Sequence, residues 1–238
     1  MAVTDILKGL APAAADEDVR IWLELPTGFL PLPVENSAAQ LAGVEPILNE
    51  LCPPDRKDLL DATINAFTML LTELEQRNTV YCGLGWHTAP DEQTIVGSTL
   101  VVSVQVTGEE RNPRLLLGDL VTAAANADDQ GQADLVDLPK GPALFMESVR
   151  SLGKPNLPGQ QGDPGRADVY QLEVLIPDEK GALLAVLEFS TPQIEYGTLY
   201  REMMVLLANS VSFTPPPGSD AENSPTRHIH DLLGGPGA

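Results

Sequence analysis

The chain has 238 residues, of which 43% are hydrophobic, and a formal net charge of −20 from 34 acidic and 14 basic residues. This length is enough for one sizeable core or two small ones. The segment from Thr214 onward holds only three of the acids and one base, so the negative charge lies on the rest of the chain, where it disfavours binding to nucleic acids and anionic membranes and favours basic partners.

The first residues indicate the compartment that we expect. Residues 1–18 contain neither a basic start nor a long apolar run, and they predict a mobile leader. No stretch reaches the roughly 18 apolar residues of a membrane span. The sequence therefore predicts a cytoplasmic protein. Cys52 and Cys82 lie in apolar or proline-flanked contexts and are interpreted as reduced core thiols, with a structural disulfide as the alternative.

The N-terminal third predicts a strand, an extended arm and two helices. Apolar and polar residues alternate over 19–25, which is typical of a half-buried strand. The two prolines in 27–33 predict an extended arm that packs Phe29, Leu30 and Leu32 on the core. A short helix is expected over 36–51, and a long amphipathic helix over 55–76.

The middle of the chain predicts alternating strands and one further helix. The patterns over 80–86 and 99–106, joined by a turn at 89–93, indicate an antiparallel hairpin. Pro113 begins a helix of about four turns whose inward residues are Leu116, Leu117, Leu120 and Val121. A strand pair is expected over 134–138 and 144–152.

The clearest pattern is a closing hairpin followed by a helix. Strands are predicted over 169–177 and 182–191, with Gly181 in the left-handed position of a bulged turn. Apolar residues on both faces of the second strand indicate a central strand. The final helix, 192–211, is expected to pack against the core through Leu199, Met203, Leu206 and Leu207.

Together these patterns predict an α+β fold, with an antiparallel sheet of about six to seven strands and helices on at least one face. A single domain is expected over 19–213, and the Pro/Gly-rich segment 214–238 is expected to be disordered.

Two stretches carry a resemblance to a known family. These are Leu25-Pro26-Thr27-Gly28-Phe29 after the first strand, and the hairpin strand Leu183 to Pro192 followed by a helix ending at Phe213. The chain resembles the bacterial LpqN-type and plant PsbP-type α/β/α sandwich domains. The resemblance implies a non-catalytic binding or assembly module and identifies no functional residue. The chain departs from these domains in lacking a lipoprotein signal and in the length of its helical block 36–76.

The sequence offers no recognisable catalytic set, metal cage or phosphate loop, and we expect neither enzymatic activity nor a cofactor or metal. Cys82 and His87 are five residues apart on one strand, so they face opposite sides of the sheet. His228 and His230 provide too few ligands for a specific metal site. Glu173 and Glu188 fall on predicted central strands, where a buried acid requires a strand edge or a bound basic group.

We therefore expect a non-catalytic protein-interaction module, such as an adaptor, a chaperone-like protein or an assembly factor. Its partner is expected to be another protein, and the acidic surface favours one with a basic surface. A small-ligand binding protein with a cavity between sheet and helices, lined by Trp86, Phe145 and Met146, is the alternative. An enzyme that uses only acids and backbone groups is a third possibility. The candidate partner-binding residues are two bases of a Gly/Pro loop and three apolar residues of the C-terminal segment: Lys154, Arg166, Ile229, Leu232 and Leu233.

Overall fold

The computed structural model describes residues 21–34, 71–126, 131–153 and 165–215, together with Lys57, Ile64 and Thr68. These residues form one antiparallel sheet of seven strands, in the spatial order β1-β2-β3-β7-β6-β5-β4. The strands are β1 Phe29–Pro31, β2 Thr79–Thr88, β3 Ile95–Val106, β4 Gln132–Leu138, β5 Gly141–Gly153, β6 Arg166–Pro177 and β7 Leu183–Thr191. The predicted α+β fold and its antiparallel sheet are confirmed.

Helices cover both faces of the sheet. On one face, α1 (Pro113–Asn126) packs against β5, β6 and β7, and the helical residues 71–76 pack against β2 and β3. On the other face lie a short helix α2 (Ile194–Gly197), the 3-10 turn Thr198–Tyr200 and α3 (Arg201–Ser210). We call these the α1 face and the α3 face. No helix in the described ranges is long and apolar enough to cross a membrane.

The central strand β7 explains why both layers are needed. Its residues Leu184 and Val186 point to the α1 face, and Leu187 and Phe189 point to the α3 face. All four are almost completely buried. Because successive strand residues face opposite sides, an apolar residue at nearly every position requires cover on both. The predicted hairpin turn before β7 is also confirmed, with Gly181 at φ +68°.

The N-terminal segment differs from its prediction. Within the described residues of the expected strand 19–25, only Trp22 forms a bridge, an isolated pairing with Ser212. The arm that follows instead supplies the edge strand β1, paired with β2. Phe29 is buried as expected, but Leu30 is 59% exposed because the neighbouring residue of a strand points to the opposite face.

The final helix also differs from its prediction. It is divided by the 3-10 turn, and α3 buries Met204, Leu207 and Ala208. Leu199 and Leu206, expected to pack inward, are 55% and 71% exposed. The backbone of Gly197 packs directly on the ring of Tyr170, which sets the position of the segment before α3. The apolar pattern alone permitted a helix rotated by about one residue.

Candidate interaction surface

Exposed apolar side chains meet at the end of the α1 face formed by β1, β2 and β3. Leu30 lies opposite Leu84, and Trp86 lies opposite Gly97 in the strand register. Residues directly opposite one another in an antiparallel pair share a face, as do residues two apart on one strand. The four apolar residues of this surface therefore project to one side, and we call them the open patch: Leu30, Leu84, Trp86 and Ile95.

The open patch is largely exposed. Trp86 is 57% exposed and Ile95 is 56% exposed, while Leu84 is half-buried. A Cβ added at Gly97 would meet no atom within 4 Å, so the sheet beside the Trp86 ring is open to a partner. Clustered exposed apolar residues on a folded protein mark contact sites more often than scattered single residues do.

An acidic turn borders the open patch. The turn between β2 and β3 contains Asp91 and Glu92. The side-chain hydroxyl of Thr94 and the backbone N–H groups of Thr94 and Gln93 donate hydrogen bonds to Asp91 and lower its pKa to about 2. The hydroxyl of Tyr196, on the α3 face, also donates to Asp91 at 3.2 Å. The carboxylate is therefore ionised across the physiological range, and it places negative charge on the turn that joins the strands of Trp86 and Ile95.

His87 lies on β2 next to Trp86 but points to the opposite face of the sheet, where it belongs to an aromatic cluster. Its ring centroid is 5.0 Å from that of Phe29 and 5.4 Å from that of Tyr200, which stacks in turn on Phe189 at 4.5 Å. Burial lowers the pKa of His87 from its ordinary value of 6.5. The cluster ties β1 and the 3-10 turn to the sheet.

The strand geometry separates His87 from the one described cysteine. Cys82 packs with Leu71 and Leu74 on the α1 face, whereas His87 points to the α3 face, as the sequence predicted. Cys82 is a free thiol, and burial raises its pKa to about 11. A thiol with that pKa is protonated at neutral pH and is a poor nucleophile. Cys52 lies outside the described residues.

Two buried polar atoms, Nε2 of His87 and Oγ of Ser98, both lie against Gly85 of β2. A Cβ added at Gly85 would lie 2.6 Å from Nε2 of His87 and closer still to Oγ of Ser98, so only glycine fits there. Neither atom has a hydrogen-bond partner among the described residues. Buried polar atoms of this kind are commonly satisfied by an ordered water molecule. The arrangement explains Gly85 as a packing residue.

Glu173 and Glu188 are brought together by the register of β6 and β7. They lie directly opposite one another on the α1 face of two central strands, and Glu173 is only 4% exposed. Each takes part in at least one polar or electrostatic interaction. Their central position excludes the strand edge that the sequence allowed as an explanation for these acids.

A charged network on the α3 face joins α3 to the sheet. Arg201 bonds Asp134 of β4 at 2.6 Å and also bonds Glu147 of β5. Tyr170 of β6 donates its hydroxyl to Glu147 at 2.9 Å. Burial, and then the hydrogen bond to Glu147, raise the pKa of Tyr170. The network is a structural clamp, because each acid is engaged by a partner that the fold supplies.

A cleft of about 620 Å³ lies where the β4–β5 and β6–β7 turns meet the end of α3. Its apolar lining includes Leu138, Ile176, Leu183 and Phe213. Lys140 borders it and donates to the backbone oxygens of Ser210 and Val211, both at 3.1 Å. A lysine in this position compensates the unpaired carbonyl groups at the end of a helix.

The residues predicted from sequence to bind a partner do not coincide with the open patch. Arg166 is an exposed residue at the start of β6, and its guanidinium donates to Ser151. Lys154, Ile229, Leu232 and Leu233 lie outside the described residues, as do His228 and His230. Their proposed roles stay predictions.

The cavity expected for a small ligand is not formed by the residues named for it. Phe145 faces α3, Met146 faces α1, and Trp86 is exposed at the far end of the α1 face. In the part of the chain that the structure describes, no group of three or more His, Cys, Asp and Glu residues could hold a metal ion.

The open patch was missed by the sequence analysis. Its signal was the pair Leu84 and Trp86 on a strand whose other face already carries Tyr81 and His87, but that pattern fits a strand covered on both sides equally well.

No protein-family model matches the chain, and no curated protein matches it either. The resemblance to LpqN-type and PsbP-type domains therefore stays a prediction.

Proposed function

We propose that the protein is a non-catalytic interaction module that binds another protein through the open patch. The partner contributes an apolar segment that covers Trp86, Leu30 and Ile95, flanked by basic residues that face the acidic β2–β3 turn. The observation that carries the proposal is the exposed Trp86, held beside the bare backbone of Gly97 with exposed aliphatic side chains on either side.

Energetics and charge both favour this assignment. Tryptophan is among the residues most often found to dominate binding free energy at protein interfaces, because it buries a large rigid surface at low entropic cost. The net charge of −20 and the ionised Asp91 attract a basic partner and speed its association.

Two features support a non-catalytic role. Cys82, the cysteine within the described residues, is buried and its thiol has a raised pKa, which makes it a poor nucleophile. His87 lies on the opposite face of the sheet among aromatic rings. The ionised network around Arg201 is closed by intramolecular bonds. We further propose that the protein acts in the cytoplasm, where reduced thiols such as Cys82 are common.

Site-specific photo-cross-linking in the native host tests the proposal. A photoreactive amino acid is placed at position 95 in the open patch or, as the matched control, at position 115, where Leu115 is 65% exposed on α1. A discrete adduct is expected from position 95, and it is expected to disappear when Trp86→Ser is added. Identical adducts from positions 95 and 115, or no adduct from position 95, would count against the proposal.

The cleft at the end of α3 favours a second function, the binding of a small amphipathic molecule. Its volume lies within the usual range of ligand sites, and its lining combines apolar side chains with the charged residues Lys140, Asp178 and Glu179. A compound screen by thermal shift checks this function, because a bound ligand raises the melting temperature. The shift should disappear in Phe213→Ser and persist in Leu199→Ser, whose position does not line the cleft; a shift unchanged in both variants excludes the cleft.

A further inference from the structure

The two edges of the sheet are built differently. The edge strand β1 has three residues, including Pro31, and Pro33 follows closely. Proline removes the backbone donor that a neighbouring strand requires, so this edge resists extension. The opposite edge strand, β4, has seven residues and contains no proline.

The β4 edge is open among the described residues. Its strand partner there is β5, with a continuous register from Gln132 to Leu138 and no bulge. None of its residues is fully buried, and Leu135 is 47% exposed. A regular strand with one free side presents both the N–H and the C=O of every second residue outward, which is the pattern that an added antiparallel strand pairs with.

The charges along this edge select the occupant. Asp134 and Asp137 lie on β4, and Asp128 and Asp129 precede it in the sequence, with no basic residue from 127 to 138. Arg201 bonds Asp134 and Arg114 bonds Asp137, yet the two carboxylate side chains stay 36% and 68% exposed, and each carboxylate can accept from a second basic group. Two copies of β4 side by side would bring their carboxylates to one seam, which disfavours self-association. An added strand with basic side chains would instead bring positive charge beside these carboxylates.

We propose that β4 is a second interaction site, at which an extended basic segment of a partner protein adds as an eighth strand. Backbone hydrogen bonds provide the affinity, and lysine or arginine side chains facing Asp134 and Asp137 provide the selection. Residues three apart on a strand face opposite sides, so the basic residues of the partner alternate between the two faces as these aspartates do. The site is independent of the open patch.

The test uses the full chain and a synthetic peptide of lysine, valine and threonine, with lysines three residues apart along an extended strand. Its binding is measured by fluorescence anisotropy, and amide hydrogen exchange is followed along 132–138. Exchange is expected to slow by about tenfold or more at every second β4 residue, because only alternate N–H groups point outward. Asp137→Asn is expected to weaken binding by about two- to fivefold, as for an exposed ion pair.

The control is the same peptide with N-methyl groups on alternate residues, which keeps the charge and removes the donors. It is expected to bind at least tenfold more weakly.

Equal binding of the two peptides, or binding without the alternating protection, would mean attraction by charge alone and would overturn the proposal. In the free chain only the inward β4 amides, which pair with β5, should be protected. Protection of the outward amides before peptide is added, or dimerisation through β4, would show that the edge has another occupant and would also overturn it. Trp86→Ser leaves the β4 protection unchanged, so this result is separate from the test of the open patch.

Discussion

The middle of the sheet and its β1–β3 end are made of similar strands, yet one is closed and the other is open. In β7, Leu184, Val186 and Leu187 are completely buried beneath helices on two sides. In the β1–β3 end, Trp86 and Ile95 lie on the paired strands β2 and β3, and each residue is more than half exposed. The strand pattern is the same, and the difference is the layer above it.

This comparison separates residues that stabilise the fold from residues that are available to a partner. Burial of an apolar side chain on folding contributes to stability, whereas the same side chain left exposed contributes only when something binds over it. Substitutions in the closed middle should therefore change the free energy of unfolding, and substitutions in the open patch should change binding. The four predictions below test this division.

The largest effect is expected in the closed middle. Leu187→Ala removes a completely buried side chain from a strand covered on both faces. The loss of transfer free energy and the cavity left behind should lower the free energy of unfolding by about 2–5 kcal/mol. Urea unfolding followed by circular dichroism measures the change; a loss of less than about 1 kcal/mol would mean that the middle is not tightly packed.

A second substitution tests the close packing before α3. In Gly197→Ala the new methyl group would lie 2.6 Å from Cδ2 of Tyr170 and closer still to Cγ. Overpacking of this kind should lower the free energy of unfolding by about 1–3 kcal/mol. Thermal unfolding of this variant is compared with that of Gly118→Ala, where a Cβ meets no atom within 4 Å and no loss is expected.

The third prediction concerns pH and the aromatic cluster that holds β1. Burial lowers the pKa of His87 in the folded protein, so the unfolded chain binds the proton more tightly. The stability associated with neutral His87 is fully present above pH 6.5 and is lost as the pH falls from there through the lowered pKa of the folded state. The free energy of unfolding, measured against pH for the natural chain and for His87→Gln, should show this loss only in the natural chain; parallel curves would contradict it.

The smallest effect on stability is expected in the open patch. Trp86→Ser should change the free energy of unfolding by no more than about 0.5 kcal/mol, because the residue is 57% exposed and no described helix packs over it. The same variant abolishes the cross-link expected at position 95. A loss of several kcal/mol in chemical denaturation would show that Trp86 belongs to the core, and the contrast between the two regions would disappear.

Much of the fold could be predicted from local patterns. The β2–β3 and β6–β7 hairpins, the start of α1 at Pro113 and the position of Gly181 each follow from residues close in sequence. Period-two alternation and a turn residue with positive φ constrain the chain over a few residues, so no tertiary information is required. The opposite faces of Cys82 and His87 follow from the same alternation.

The errors arose where distant segments decide the structure. Residues 19–25 alternate in sequence like a strand, but strand pairing depends on a neighbouring strand. Among the described residues of this segment only Trp22 forms a bridge, with Ser212. The rotation of α3 depends on how Gly197 meets Tyr170, which lies on a strand much earlier in the chain. Propensity and periodicity contain no information about such contacts.

The sequence by itself determined most of the strands, their faces, the acidic charge and the central position of β7, because these depend on alternation and composition over short stretches. Only the tertiary structure decided that Glu173 and Glu188 lie opposite one another, that Trp86 joins Leu30 on an uncovered surface, and that β4 rather than β1 is the extendable edge. The physical reason is that strand order, register and helix cover are set by contacts between residues far apart in the chain.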